Sequence, residues 1–349
     1  MAIAQLLSIA TAAPPHVLTQ EEVAAHAAQV FAPRMADFDR LAGLFLNTGI
    51  RERRAARPIE WYLKPQGWPE RSAAYVEVAG ALFVEVARRA LDKAGLTAGE
   101  VDAVVTVSST GVATPSLEAR AAMELGFRDG VSRVPVFGLG CAGGVSGLSI
   151  ASRLAASRPG TNVLLVVVEL CTLSVRLDKA DKANLVAVAL FGDGAAACVL
   201  RSGEADGVAI EGVGERTWPG TLDIMGWSID REGLGVIFDR AIPPFAEEHL
   251  ASAVDGILRD LGLERRDIDR FVCHPGGAKV VAAIEAALEL QTGSLDHERA
   301  VLAEFGNMSA PTALFVLERV MDQGMPARIA LSALGPGFTL SSAVLGRAA

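Results

Sequence analysis

Three residues of this 349-residue chain combine useful chemistry with special placement: Cys141, His274 and Asn307. Cys141 stands in "VFGLGCAGGVSGLSIA", between glycines, where an apolar strand pattern gives way to an apolar helix pattern. A packing cysteine needs no glycine collar, and a metal ligand needs partners close by. A reactive thiol gains from a helix N-terminus, where unpaired N–H groups and the helix dipole favour the thiolate. Of the five histidines, His274 alone closes an apolar strand and precedes a Pro-Gly-Gly turn. His16 follows a Pro-Pro loop, and His26, His249 and His297 fall in polar or helical-surface contexts. Asn307, in "FGNMSAP", occupies a turn that runs into another apolar helix. A reactive thiol, an imidazole and a carboxamide are thus the three side chains with chemistry in these loops.

The same cysteine loop also reads as GxGxxG through Gly138, Gly140 and Gly143, with Glu169 ending the next strand. That is the dinucleotide fingerprint, but Gly138 to Glu169 spans 31 positions, against a usual spacing of about 20. A thiol inside a mid-chain motif also argues for the nucleophile reading over a nicotinamide site.

The elements that must position these residues repeat. In the first half "VDAVVTVSST" is a strand, "VPVFGLGCAGGVSGLSIASRLAA" runs strand, turn, helix, "NVLLVVVEL" is a buried strand and "FGDGAAACVLRS" leads into another. In the second half "IDRFVCHPGG" is a strand, "AEFGNMSAPTALFVLERVMDQG" runs turn into helix, and "ARIALSALGPG" and "TLSSAVLGR" are strands. The order strand, strand–turn–helix, strand, strand is thus expected twice. "AYVEVAGALFVEVARRALDKAGL" and "HLASAVDGILRDLGL" show apolar residues at helical spacing and precede the two copies. Alternating helices and apolar strands predict an α/β protein of two duplicated mixed-sheet halves, 1–205 and 206–349, with helices on their faces. Facing halves bring the loops of Cys141, His274 and Asn307 to one pocket.

Composition narrows the class. With 51% apolar and 21% charged residues the chain is a globule of enzyme size, not a disordered segment. A net charge of −9 argues against broad nucleic-acid or anionic-membrane binding. Anionic ligands need a local basic patch, and Arg51, Arg53 and Arg54 in "GIRERRAARP" are the candidates. The opening "MAIAQLLSIATAAPP" lacks a basic flank and carries Gln5, so it reads as a first strand; no run reaches the roughly 20 apolar residues of a membrane span. Cys141, Cys171, Cys198 and Cys273 form no CxxC pair, so no zinc or disulfide framework is indicated, and a reducing cytoplasm is the expected compartment.

The Cys141 turn, "ALFGDGAAA", "HPGG", "GNMSAPT" and "GPGFT", in this order across the whole chain, resemble the thiolase-fold condensing enzymes and, within them, the chalcone-synthase-like type III polyketide synthases. Ketoacyl-carrier-protein synthase III shares a Cys–His–Asn set but usually follows its histidine with Gln-Ala-Asn, where this chain has "HPGGAK". The resemblance implies a thiolase-like fold in αβαβα layers and a homodimer using acyl-CoA and malonyl-CoA, with no metal or redox cofactor. Cys141 would carry the acyl group. A cationic His274 would hold the thiol ionised, well below its usual pKa, and with Asn307 would stabilise the malonyl-derived enolate. The alternatives are a ketoacyl synthase III-like enzyme or a non-catalytic acyl-CoA-binding protein of the same fold.

Further roles follow from the resemblance. Phe191 matches an aromatic guarding the junction of CoA tunnel and cavity, and Val236 stands where a second guarding phenylalanine is usual. Ser309 and Gly335–Pro336–Gly337 match cavity-shaping positions, while Glu169 and Ser109 match a cavity hydrogen-bond network. Arg51, Arg53 and Arg54 would meet the CoA phosphates. Cys171 replaces a common threonine, and Thr114 replaces a methionine contributed across the dimer. Trp227, in "MGW", resembles bacterial alkylpyrone and alkylresorcinol synthases. Small side chains at Cys171 and Thr114 would open an apolar tunnel for a fatty acyl starter, with Trp227 restricting another wall, and the product would be a pyrone or resorcinol.

Overall fold

The computed structural model describes residues 3–203 and 207–347. The expected boundary between residues 205 and 206 lies outside the described residues. The strands are β1 (Ala4–Ala12), β2 (His16–Thr19), β3 (Glu52–Ala55), β4 (Ala103–Val107), β5 (Ser132–Val136), β6 (Asn162–Leu170), β7 (Asp193–Ser202), β8 (Val208–Thr217), β9 (Met225–Asp230), β10 (Gly233–Phe238), β11 (Arg270–Cys273), β12 (Arg328–Gly335) and β13 (Thr339–Arg347). The helices are α1 (Gln20–Phe31), α2 (Phe38–Leu46), α3 (Ile59–Tyr62), α4 (Trp68–Ala94), α5 (Leu117–Leu125), α6 (Gly143–Ala156), α7 (Lys182–Leu190), α8 (Ile242–Asp260), α9 (Ala278–Ala287), α10 (Asp296–Phe305) and α11 (Thr312–Asp322).

Nine strands form one sheet in the order β11-β12-β13-β8-β1-β7-β6-β4-β5. The duplication is legible in it: β5-β4-β6-β7-β1 comes from the first half and β11-β12-β13-β8 from the second. The halves do not form separate sheets, because Gln5 and Leu6 of β1 pair with Ala209 and Val208 of β8. The repeat is also imperfect. The first turn–helix unit is preceded by strand β5, whereas helix α10 precedes the second, leaving Asn307 with a single-residue bridge to Phe191.

Burial explains the layers. β6, "NVLLVVVEL", is buried at every position, the pattern of a strand covered on both faces. On one side α4 covers it, starting on Trp68–Pro69 with the Glu70 carboxylate accepting from Gly67 N–H and stopping at left-handed Gly95. On the other side α6 and α11 form a middle layer whose apolar core is shared by strands of both halves, among them Val107, Leu165, Leu331 and Leu345. Helices α8 and α9 close the far face of β11–β13. The result is the expected αβαβα stack, in which the middle helices are anchored from both sides. No helix among the described residues is long and apolar enough to cross a membrane.

Candidate active site

Cys141 lies in a single 3-10 turn, Gly140–Ala142, that leads directly into α6. The turn is held from two sides. Ser109 Oγ accepts from Gly138 N–H at 3.1 Å and Gly140 N–H at 3.3 Å, while Ser109 N–H donates to both oxygens of Glu169 at 3.0 Å. Thr110 Oγ1 donates to the same carboxyl at 2.7 Å. Ser109 and Glu169 are thus hydrogen-bonded to each other, and these bonds are spent on the backbone that carries Cys141 rather than directed into a cavity. From the other side the Gly335–Pro336–Gly337 loop presses on the turn: a Cβ at Gly335 would stand 2.7 Å from Ala142 N and from Leu139 O.

His274 follows β11, its N–H donating to Ser332 O at 2.9 Å. Both ring nitrogens are buried without a partner. Asn307 is fixed by backbone and side chain alike. Its N–H donates to Leu190 O at 2.8 Å, and its carbonyl accepts from Gly192 N–H at 3.0 Å. Its Oδ1 accepts from Ser309 N–H at 2.8 Å and its Nδ2 donates to Gly276 O at 3.1 Å, leaving one N–H of the amide for a ligand. Cys141, His274 and Asn307 line one cavity of about 20 Å³, closed by Met225, Phe238 and Val280. That volume accommodates about one water.

Enclosure bears on the charge states, and here it works against the expected thiolate–imidazolium pair. Burial pushes the Cys141 thiol up to about 11, against the opposing hydrogen bond with Ser309, and burial alone lowers His274 to about 4. Desolvation thus pulls toward a thiol beside a neutral imidazole. Glu169 is likewise raised to about 8 by burial, despite its three donors' opposing effect.

A second cavity, of about 390 Å³, lies beyond the first and shares Phe238, Gly276 and Val280 with it. Arg40, Lys182 and Lys279 stand on its rim, in the first turns of α2, α7 and α9. The expected basic patch is placed elsewhere. Arg53 is 2% exposed and donates to carbonyls at the end of α7, so it is unable to meet a CoA phosphate. Arg51 and Arg54 are more exposed, pair with Glu304 and Glu52, and border neither cavity. The rim cations had a signal in the sequence: a cation in a helix first turn opposes the helix dipole, which favours an anion there.

Phe191 joins Cys171, Leu190 and Leu302 in a buried cluster against which Trp227, Val236 and Phe238 pack. Phe191 and Trp227 meet edge to face at 6.1 Å. Phe238 was not anticipated. It sits two residues after Val236, hence on the same face of β10, and the large side chain between entrance and site is supplied there instead. Thr114 is not brought to Cys171: it is exposed in the loop before α5, and a wall made of both residues requires a second chain.

A thiol, imidazole and amide donor gathered from the two halves of a duplicated αβαβα fold define a thiolase-type condensing enzyme. The chain belongs to the chalcone and stilbene synthase family, the type III polyketide synthases: the family's N-terminal domain matches residues 65–204 and its C-terminal domain residues 213–347. It is 41% identical to a 1,3,6,8-tetrahydroxynaphthalene synthase of Streptomyces peucetius subsp. caesius, over 95% of this chain and 90% of the relative. It is 29% identical to an alpha-pyrone synthesis polyketide synthase-like protein of Mycobacterium tuberculosis, over 97% and 90%. The crystal structure of 1,3,6,8-tetrahydroxynaphthalene synthase from Streptomyces coelicolor A3(2) superposes with a TM-score of 0.94 at 30% identity, covering 99% of both chains.

Cys171, Cys198 and Cys273 are buried as deeply as Cys141 or more, and burial raises all three thiols. Iodoacetamide should therefore modify Cys141 first, at a rate that climbs with pH through the alkaline range. Peptide mass mapping across a pH series checks this. A labelling rate already level below pH 7 would show that His274 ionises the thiol after all, and first modification of another cysteine would remove Cys141 as nucleophile.

Proposed function

We propose that Cys141 is loaded from an acyl-CoA and that the bound acyl group is then extended with malonyl-CoA. The observation that carries this reading is the set of unspent polar groups around the thiol: two unpartnered His274 nitrogens and one Asn307 N–H in an otherwise apolar cavity. Neutral His274 accepts the Cys141 proton as Sγ attacks the thioester carbonyl, and the departing CoA sulfur takes that proton. Malonyl-CoA, entering next, loses CO₂ and leaves an enolate on its thioester oxygen. His274, as N–H donor, and Asn307 hydrogen-bond that oxygen without delivering a proton to the carbanion carbon. The enolate carbon attacks the Cys141 thioester, the C–S bond breaks, and the lengthened chain remains on CoA for reloading or cyclisation. Arg40, Lys182 and Lys279 suit the CoA phosphates at the rim of the entrance.

For the starter, a short acyl or malonyl unit giving a tail-free aromatic product is the first reading. It is supported by Trp227 packed on Phe191 and by the 41% identical relative, whose named product carries no alkyl chain. A fatty acyl starter giving a pyrone or resorcinol is the second. It is favoured by the small Cys171 side chain beside Phe191 and by an apolar cavity of about 60 Å³ reaching Phe191 and Thr172 from α1 and α3. A homodimer is also proposed. β5 is an edge strand of the sheet, and just beyond the ends of β5 and β4 Phe137 and Val112 are 55% and 56% exposed. Such an apolar edge is normally covered by a partner.

Three measurements follow. Asn307→Ala should still load an acyl group on Cys141, seen by intact mass, but lose about 10²–10³ in malonyl-CoA decarboxylation, the usual effect of one oxyanion donor; unchanged decarboxylation would refute the role given to Asn307. Product masses from malonyl-CoA alone, and with acyl-CoAs of increasing length, decide between the starters: an aromatic product from malonyl-CoA alone supports the first reading, whereas products carrying the alkyl chain, formed fastest with long acyl-CoAs, support the second. Sedimentation should give twice the chain mass, and Phe137→Glu should shift it toward monomer; a monomeric wild type would rule the dimer out.

A further inference from the structure

The last turn of α7 carries an unusual set of partners. A helix leaves its final carbonyls without intrahelical donors, and when buried they need donors from elsewhere. Here Val188 O accepts from Arg53 Nη1 at 2.7 Å, Ala189 O from Arg53 Nη2 at 3.0 Å and Phe191 O from Arg53 Nη1 at 3.1 Å. The carbonyl among them that Arg53 leaves is Leu190 O, and it is taken by the backbone N–H of Asn307 at 2.8 Å. Arg53 thus grips the carbonyls on either side of the one that places Asn307. Its guanidinium also donates to Gln20 Oε1, and Gln20 Nε2 in turn donates to Phe45 O and Thr48 Oγ1 at the end of α2, beside the entrance cavity.

The grip has little freedom. A Cβ at Gly192 would lie 2.0 Å from Phe305 O and 3.3 Å from Arg53 Cβ, so Gly192 is wedged between Arg53 and the end of α10, two residues before Asn307. Among the described residues no carboxylate pairs directly with Arg53. A buried cation without a direct counter-ion is costly, and an apolar side chain would fill the space without that cost. It would not supply donors to three carbonyls.

We infer that Arg53 is a positioning residue for the condensation, setting Asn307 through the end of α7 and holding Phe191 in the same grip. The inference rests on the assignment of Asn307 to decarboxylation. Arg53→Lys keeps the charge but loses the planar fork that reaches three acceptors. A slight shift of Asn307 reduces enolate stabilisation, whereas thiol attack at Cys141 depends on a turn held by Ser109 and Pro336 instead.

The test compares acyl loading on Cys141 with malonyl-CoA decarboxylation in wild type, Arg53→Lys, Gln20→Leu and Asn307→Ala, at matched folded fraction by circular dichroism. Arg53→Lys should load within about 2-fold of wild type and lose about 10- to 100-fold in kcat for decarboxylation, the scale of a small misplacement, with KM for malonyl-CoA little changed. Gln20→Leu should show the same asymmetry, about 3- to 10-fold, and decides alone if Arg53→Lys does not fold. Equal losses in both steps would mark Arg53 as merely structural, and wild-type decarboxylation in either folded variant would overturn the inference. If Asn307→Ala itself decarboxylates normally, the functional reading fails instead.

Discussion

The backbone exchange between Phe191 and Asn307 is the contact on which the site depends. Leu190 O and Gly192 N belong to the first half of the duplicated fold, and Asn307 belongs to the second. Through two hydrogen bonds, the half that carries the nucleophile sets the backbone of the half that carries the donors. The remainder of the architecture makes this exchange reproducible. The middle helices are packed from both sides, and β1 and β8 join the halves into one sheet through only two residue pairs. Register between the halves is therefore fixed by the buried middle layer and by this exchange far more than by the sheet.

Desolvation is the second organising effect. The site is apolar apart from a few polar groups, some engaged in holding backbone and others left free for substrate. Ser109, Glu169 and Arg53 are of the first kind, and His274 and one N–H of Asn307 are of the second. In so dry an enclosure a permanent ion pair is disfavoured, while donors aimed at a developing oxyanion gain strength because little water competes with them. The same burial that raises the Cys141 thiol thus favours the step in which charge appears on substrate oxygen.

What the sequence revealed and what it hid divide along a physical line. Cys141, His274 and Asn307 were legible because each sits in a local signature, a glycine turn or a strand end, and because the repeat places those signatures at matching loops. The layers were legible because α4, α6 and β6 have unambiguous apolar periods. Arg53 was misread as a surface cation, since nothing in "RERRA" announces the three helix-end carbonyls, more than a hundred residues away, that bury it. Phe238 was passed over for Val236 because alignment by position ignores that strand residues two apart share a face. The strand expected before Asn307 was replaced by α10, where a single bridge to Phe191 does the work of a ladder.

Ser309 has a further consequence for anyone redesigning the cavity. Its φ is +60°, a left-handed conformation that glycine and asparagine tolerate but that disfavours most L-residues by roughly 1–2 kcal/mol, and β-branched ones most of all. Its N–H also fixes the Asn307 amide. A saturation library at this position would confound volume with backbone strain and with loss of the donor's aim. Cys171, Trp227 and Phe238 have no such left-handed backbone, so changes there alter the shape of the space while leaving the reacting groups in place. Product range in this enzyme is open to engineering along one wall and closed along the other.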